Sequence, residues 1–178
     1  IDQILESQSS IIDRKGIDLR IFAVANSKKV LLDKNGVTAD WNEKLTQIGV
    51  LYSVEDVADF AKANHLENVI AIDNTASEDF VANYELLIEE GFDLVSSNKI
   101  ANTLGFDFYE ATRRNLERNQ KKYLYETNVG AGLPLIDTIQ LLHLSGENIT
   151  RIKGVFSGSL RYIFNAFSED EIPFAVRR

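Results

Sequence analysis

Over the first 125 residues, compact apolar runs rich in branched side chains alternate with longer stretches in which apolar residues recur every three or four positions. Four runs read as strands, over 18–25, 68–73, 92–96 and 123–125, and the stretches among them read as helices over 2–14, 54–63, 77–90 and 107–120. The third of these helices is opened by Ser77 as a cap, with Glu78 and Asp79 in its first turn. Regular alternation of strand and helix predicts an α/β domain built on a mainly parallel sheet.

If the helix at 2–14 is the crossover of a strand-helix-strand unit, a strand and the turn leaving it are expected before Ile1. That turn is where a doubly wound, Rossmann-type dinucleotide fold carries its Gly-x-Gly-x-x-Gly loop. The pattern therefore predicts such a fold truncated at its N-terminus, although other doubly wound proteins fit this part nearly as well. After Tyr125 the texture changes. Val129-Gly130-Ala131-Gly132-Leu133-Pro134 is a compact glycine and proline cluster, followed by a predicted helix over 135–144, a stop at Gly146, a strand through 152–156 and a helix over 160–167. A boundary near Glu126 divides a nucleotide-binding part, 1–125, from a hinge and the start of an α+β substrate and dimerisation part, 126–178.

Composition narrows the partners. The 178 residues are 44% hydrophobic, enough for a folded core, and carry 27 acids against 19 lysines and arginines for a formal net charge of -8. The bases are scattered among acids, so no face is offered to a phosphate backbone and nucleic acid is not expected. There is no cysteine, which removes disulfides and thiolate chemistry and leaves the cytoplasm as the default compartment. No apolar run approaches the roughly 20 residues that span a bilayer, and the first residues have no signal-peptide character. The absence of any methionine, with a start inside a predicted helix, reads as a fragment.

Four segments are candidates for chemistry. The first strand runs out into Ala25-Asn26-Ser27-Lys28-Lys29, where a dinucleotide fold meets the adenine ribose. No acid stands there to prefer a free 2'-hydroxyl; Ser27 with Lys28 or Lys29 can hold a 2'-phosphate, and the plain alternative is a polar loop with solvated lysines. Asn74-Thr75-Ala76-Ser77 is either a cofactor-facing loop or only a helix cap. Lys99, after Ser96-Ser97-Asn98, falls at the carboxyl edge of the sheet, where it can hold a carbonyl or pass a proton if burial lowers its pKa; a solvated surface lysine is the alternative. Glu126 to Pro134 combines a carboxylate with a tight backbone, able to bind a hard cation through Glu126 and main-chain oxygens, or else to form a sharp turn with Glu126 capping the next helix or pairing with a lysine. His65 and His143 sit in unrelated contexts and read as structural, and no Ser-His-acid set, His-Glu-x-x-His or Walker-type loop is present, which disfavours the common hydrolases, zincins and NTPases.

Taken in order, Val24-Ala25-Asn26-Ser27-Lys28, Ser97-Asn98-Lys99, Glu126-Thr127-Asn128-Val129-Gly130-Ala131-Gly132-Leu133-Pro134 and Gly154-Val155-Phe156-Ser157-Gly158-Ser159-Leu160 with Tyr162-Ile163-Phe164 resemble homoserine dehydrogenase. The likeness runs nearly the whole chain and is greatest to the dehydrogenase part of the bifunctional aspartokinase-homoserine dehydrogenases. It implies reversible reduction of aspartate 4-semialdehyde to L-homoserine by NADPH or NADH, a step shared by threonine and methionine synthesis. It implies further that Lys99 lies by the nicotinamide and the reacting aldehyde, that Thr75 contacts the cofactor, and that Ala25, Asn26, Ser27 and Lys28 approach the adenosine ribose, which favours NADP. A monovalent cation, usually sodium, would be held by Glu126 and the carbonyls of Val129, Ala131 and Leu133, and Gly158 and Ser159 would form a turn at the substrate pocket. A homodimer or homotetramer is implied as well.

The family's Glu-Pro-Asp substrate segment, its catalytic Asp and a second Lys are expected beyond Arg178, so these residues alone are expected to show little turnover. Two other readings remain: a non-catalytic, dinucleotide-binding regulatory module, and an aspartate-semialdehyde dehydrogenase. The last needs a nucleophilic cysteine.

Overall fold

The computed structural model describes residues 1–154 and 158–169 of the chain, and it is an α/β fold. Helix α1 (Asp2–Lys15) ends at Gly16, whose φ of 66° supplies the left-handed residue that closes a helix. Strand β1 (Ala23–Ala25) and strand β2 (Val30–Leu32) form an antiparallel hairpin, then α2 (Trp41–Ile48) and α3 (Val54–Ala63) follow. Next come β3 (Ile70–Asp73), α4 (Glu78–Val81), α5 (Tyr84–Glu89), β4 (Asp93–Ser96), α6 (Phe106–Asn119) and β5 (Tyr123–Leu124). Beyond a 3-10 turn at Glu126–Asn128 lie α7 (Leu135–Leu144) and α8 (Gly158–Glu169).

Strands β3, β4 and β5 make a parallel sheet in that order, with Ile70 opposite Asp93 and Asp73 opposite Ser96. Parallel strands need helical crossovers, and the helices bury one face of this sheet. Leu94 from β4, Val81, Tyr84, Leu87 and Ile88 from α4 and α5, and Leu116 from α6 form the core. A smaller cluster of Val24, Leu31, Val37 and Leu45 lies under the hairpin. Phe22 packs against the main core, with its ring stacked on Phe60 and tilted against Phe92. Arg113 of α6 lies over the rings of Tyr109, Tyr123 and Tyr125, at 4.6, 5.3 and 5.0 Å from their centroids, and so clamps α6 to the end of β5. On its other side β3 has no strand partner among the described residues, and Ile70 and Ile72 remain 45% and 52% exposed.

Several predicted elements change. The strand expected over 18–25 shrinks to its last three residues and is not part of the parallel sheet. Asn26 is the cause: its side-chain oxygen accepts from the backbone N–H groups of Lys28 and Lys29, folding the chain back at once into β2. Upstream, Ile21 and Phe22 give their carbonyls to Val37 and Asp33 in the loop after β2 instead of to a strand. Neither β2 nor α2 was predicted from the pattern, although Val30-Leu31-Leu32 and the spacing of Trp41, Leu45 and Ile48 carry their signals. The helix expected over 77–90 breaks at Ala82 and Asn83, where the Asn83 amide donates to the carbonyls of Asp79 and Phe80. Helices α3 and α7 match prediction end for end, and a reciprocal capping box between Ser53 and Asp56 fixes the start of α3. The strand expected through 152–156 is not formed at residues 152–154; Val155 and Phe156 lie outside the described residues.

Candidate functional site

The carboxyl ends of β3 and β4 lie side by side because the parallel register sets Asp73 against Ser96. Asp73 is buried at 3% exposure and has no ion-pair partner among the described residues; a buried carboxylate is costly unless its oxygens are hydrogen-bonded. Three neutral donors meet it. Oδ1 accepts the backbone N–H of Thr75 at 2.8 Å, and Oδ2 accepts the Tyr84 hydroxyl at 2.7 Å and the Asn98 amide at 3.0 Å. Burial pushes the Tyr84 hydroxyl far above the ordinary tyrosine range, opposed by its hydrogen bond with Ser96 and reinforced by the Asp73 carboxylate, so it stays a donor at any working pH.

Asn98 is the hub of the next turn. Its amide nitrogen also donates to the Ser77 carbonyl at 3.1 Å, its side-chain oxygen accepts Ile100 N–H at 3.0 Å, and its N–H donates to Ser96 Oγ at 2.9 Å. Its carbonyl accepts the Asn128 amide at 3.2 Å, which ties this edge to the turn after β5. Lys99 follows directly, exposed; its carbonyl accepts the Asn102 N–H at 3.2 Å, while its side chain makes no hydrogen bond or ion pair among the described residues. The Lys99 side chain is not buried in this structure. Thr75 is exposed on the neighbouring loop, so the two side chains predicted to serve the reaction sit at adjacent strand ends above one buried polar cluster.

At the other sheet, Ala25, Asn26, Ser27 and Lys28 are all exposed on the β1–β2 turn. Lys29 is not available there: its ammonium donates to the Thr46 carbonyl at the end of α2, at 2.9 Å. Asn26 is committed to bracing the turn, and its carbonyl accepts the Tyr52 hydroxyl at 3.0 Å. Ser27 and Lys28 are therefore the groups left to meet a phosphate.

Glu126 follows its plainer alternative. Its two carboxylate oxygens accept the backbone N–H groups of Ile136 and Asp137, at 2.9 and 2.8 Å. It thus caps α7 from ten residues upstream, in place of Pro134, which has no side-chain acceptor. The loop between needs its tight backbone: Gly130 has φ of 72°, and a Cβ there would stand 2.4 Å from Leu135 Cδ1. Ala131 also takes a positive φ, 54°. The Leu133 carbonyl accepts Leu135 N–H, while those of Val129 and Ala131 accept no hydrogen bond among the described residues. Gly158 and Ser159, predicted in a turn, instead lie exposed in the first turn of α8.

Residues 1–126 match the family model described as homoserine dehydrogenase, NAD binding domain, and residues 134–177 the model described as homoserine dehydrogenase. The chain belongs to the homoserine dehydrogenase family. It is 39% identical over 170 residues to the bifunctional aspartokinase/homoserine dehydrogenase of Buchnera aphidicola, and 36% identical to that of Haemophilus influenzae. Each alignment covers 95% of this chain and 21% of the relative, so the chain spans about a fifth of their length. A hyperthermophilic archaeal homoserine dehydrogenase in complex with NADPH shares the fold, with a TM-score of 0.53, 20% identity, and coverage of 75% of this chain and 43% of that one. As a member of the homoserine dehydrogenase family, the chain presents its Thr75 and Lys99 edges within the part matched to the NAD binding domain.

Asp73 and Tyr84 were not among the predicted site residues. An acid closing the apolar run Ile70-Ala71-Ile72 was the available signal, because a carboxylate that the end of a strand buries must find donors.

Proposed function

We propose that the full-length protein carrying this chain reduces L-aspartate 4-semialdehyde to L-homoserine with NADPH, NADH being the lesser donor. This is the step shared by threonine and methionine synthesis, and we place it in the cytoplasm, in a homodimer or homotetramer. The observation that carries the reading is the pairing of Thr75 and Lys99 at adjacent parallel strand ends in a chain matched nearly end to end by the two family models. A nicotinamide, when bound, would supply the hydride. Thr75 orients the cofactor, and the Lys99 ammonium donates a hydrogen bond to the aldehyde oxygen, stabilising the negative charge that grows there and placing a proton beside it. Gly158 and Ser159 contribute to the substrate side, where the Ser159 hydroxyl can hydrogen-bond the amino acid. A sodium ion held by Glu126 and the carbonyls of Val129, Ala131 and Leu133 would stiffen the hinge; Glu126 keeps one lone pair on each oxygen after capping α7, and the Val129 and Ala131 carbonyls suit a hard cation.

Cofactor preference is assigned to the hairpin turn. Ser27 and Lys28 present a hydroxyl and an ammonium in a turn, residues 25–29, that contains no acid, the chemistry of a 2'-phosphate site, and the archaeal relative's complex with NADPH supports that choice. Homoserine oxidation by the full-length protein tests both points. It is expected to proceed faster with NADP than with NAD, and Lys28→Glu should lower kcat/KM for NADP by about 10- to 100-fold, replacing an attraction by a repulsion while leaving NAD nearly unchanged. Inactivity with both cofactors would favour the non-catalytic, dinucleotide-binding module instead.

A further inference from the structure

The buried cluster under the strand ends joins two loops that the proposed reaction uses separately. Asp73 holds the Thr75 backbone with one carboxylate oxygen and the Asn98 side chain with the other. Asn98 in turn is fixed by six further hydrogen bonds, to Ser77, Ile100, Asn128, twice to Ser96 and, at 3.4 Å, to Thr75 Oγ1, and it immediately precedes Lys99. The Lys99 side chain has no holder of its own among the described residues, so its aim is inherited from the backbone that Asn98 pins.

We infer that Asp73 and Asn98 are positioning residues, a buried acceptor and its amide partner that set the cofactor-facing Thr75 and the substrate-facing Lys99 in one fixed relation. The assignment rests on the dehydrogenase reading. A carboxylate is suited to the task because it is acceptor-only, and every group aimed at it is a donor. An asparagine at 73 has nearly the same shape but turns an NH2 toward one of those donors. Either the Thr75 N–H or the Asn98 amide then loses its acceptor, and that loop shifts. Displacements of this size matter because reacting groups must sit within a fraction of an ångström of their working geometry.

The test uses the full-length protein with Asp73→Asn, Asn98→Ala and Ile88→Val, the last a trimming of the fully buried core away from the strand ends. Thermal midpoint, NADPH dissociation constant by nicotinamide fluorescence, and kcat for homoserine oxidation are measured on each. Asp73→Asn is expected to lower kcat by about 10- to 100-fold and to weaken NADPH binding about fivefold or more, since it disturbs both loops. Asn98→Ala leaves the bond from Thr75 N–H to Asp73 in place, so its kcat should fall at least about tenfold with a smaller change in NADPH affinity. Ile88→Val should lower the midpoint alone. If the polar variants move only the midpoint, as Ile88→Val does, in an active wild-type protein, the positioning role is overturned while the dehydrogenase reading stands. A wild-type protein that neither binds NADPH nor oxidises homoserine would overturn both. Should Asp73→Asn fail to fold, the kcat and affinity split of Asn98→Ala decides the matter by itself.

Discussion

Replacing Lys99 by alanine in the full-length protein is expected to lower kcat for homoserine oxidation by about 100-fold or more, with NADPH affinity and thermal midpoint nearly unchanged. The size follows from removing the group that stabilises charge on the reacting oxygen. The selectivity follows from the structure: the Lys99 side chain is exposed and makes no hydrogen bond or ion pair among the described residues, so truncating it should cost no more than about 0.5 kcal/mol of stability. Lys99→Arg separates two roles for the same charge. A guanidinium can still polarise a carbonyl but cannot give up a proton at working pH, so substantial activity in that variant would mean polarisation, and none would mean proton transfer. A Lys99→Ala protein within about threefold of wild type would remove the lysine from the mechanism, since acid-base groups contribute far more than that.

The second large effect is expected at Glu126. Its carboxylate satisfies two N–H groups at the start of α7 and puts negative charge at the positive end of the helix. Glu126→Ala leaves both donors without a protein acceptor and should destabilise the protein by about 2 kcal/mol in urea denaturation. Amide exchange at Ile136 and Asp137 should accelerate far more than exchange in β4. Glu126→Gln keeps a neutral acceptor and should fall between. Unchanged exchange at those two amides in the alanine variant would mean that the cap is not what holds α7. If sodium also binds here, stabilisation of the protein by added sodium should vanish with the carboxylate.

What could be read from the chain depended on how local the cause was. Helices α3 and α7 were legible from end to end because their spacing and their limits, Ser53 and Asp56 in one case and Pro134 in the other, lie within a few residues of each other. The strand at 18–25 was read too long because Ile21 and Phe22 are as apolar as a strand residue, yet their backbone bonds go to a loop. Lys99, Thr75, Ser27 and Lys28 were chosen from types and order, and the structure places the first two at neighbouring strand ends. For Glu126 both roles were readable, but only folding shows which N–H groups reach the carboxylate. The polar cluster of Asp73, Tyr84, Ser96 and Asn98 was not legible, since it depends on the register between β3 and β4 and on the side of the sheet that α5 covers. Register is set by contacts some twenty residues apart, and a one-residue slip would turn Asp73 to the opposite face.

The open edge of β3 has a consequence for the protein's behaviour in crowded solution. From Asn68 to Asp73 the edge carries no lysine, proline or bulge of the kind that keeps exposed strands from pairing with strangers, and its one acid is buried. Ile70 and Ile72 add an apolar surface to an edge that has no strand partner among the described residues. Such an edge does not discriminate between a strand of its own protein and a strand of another copy; only proximity does. Whatever covers it must arrive faster than a neighbour, so the yield of correctly folded protein should be decided by concentration while that edge is bare, well before any question of catalysis arises.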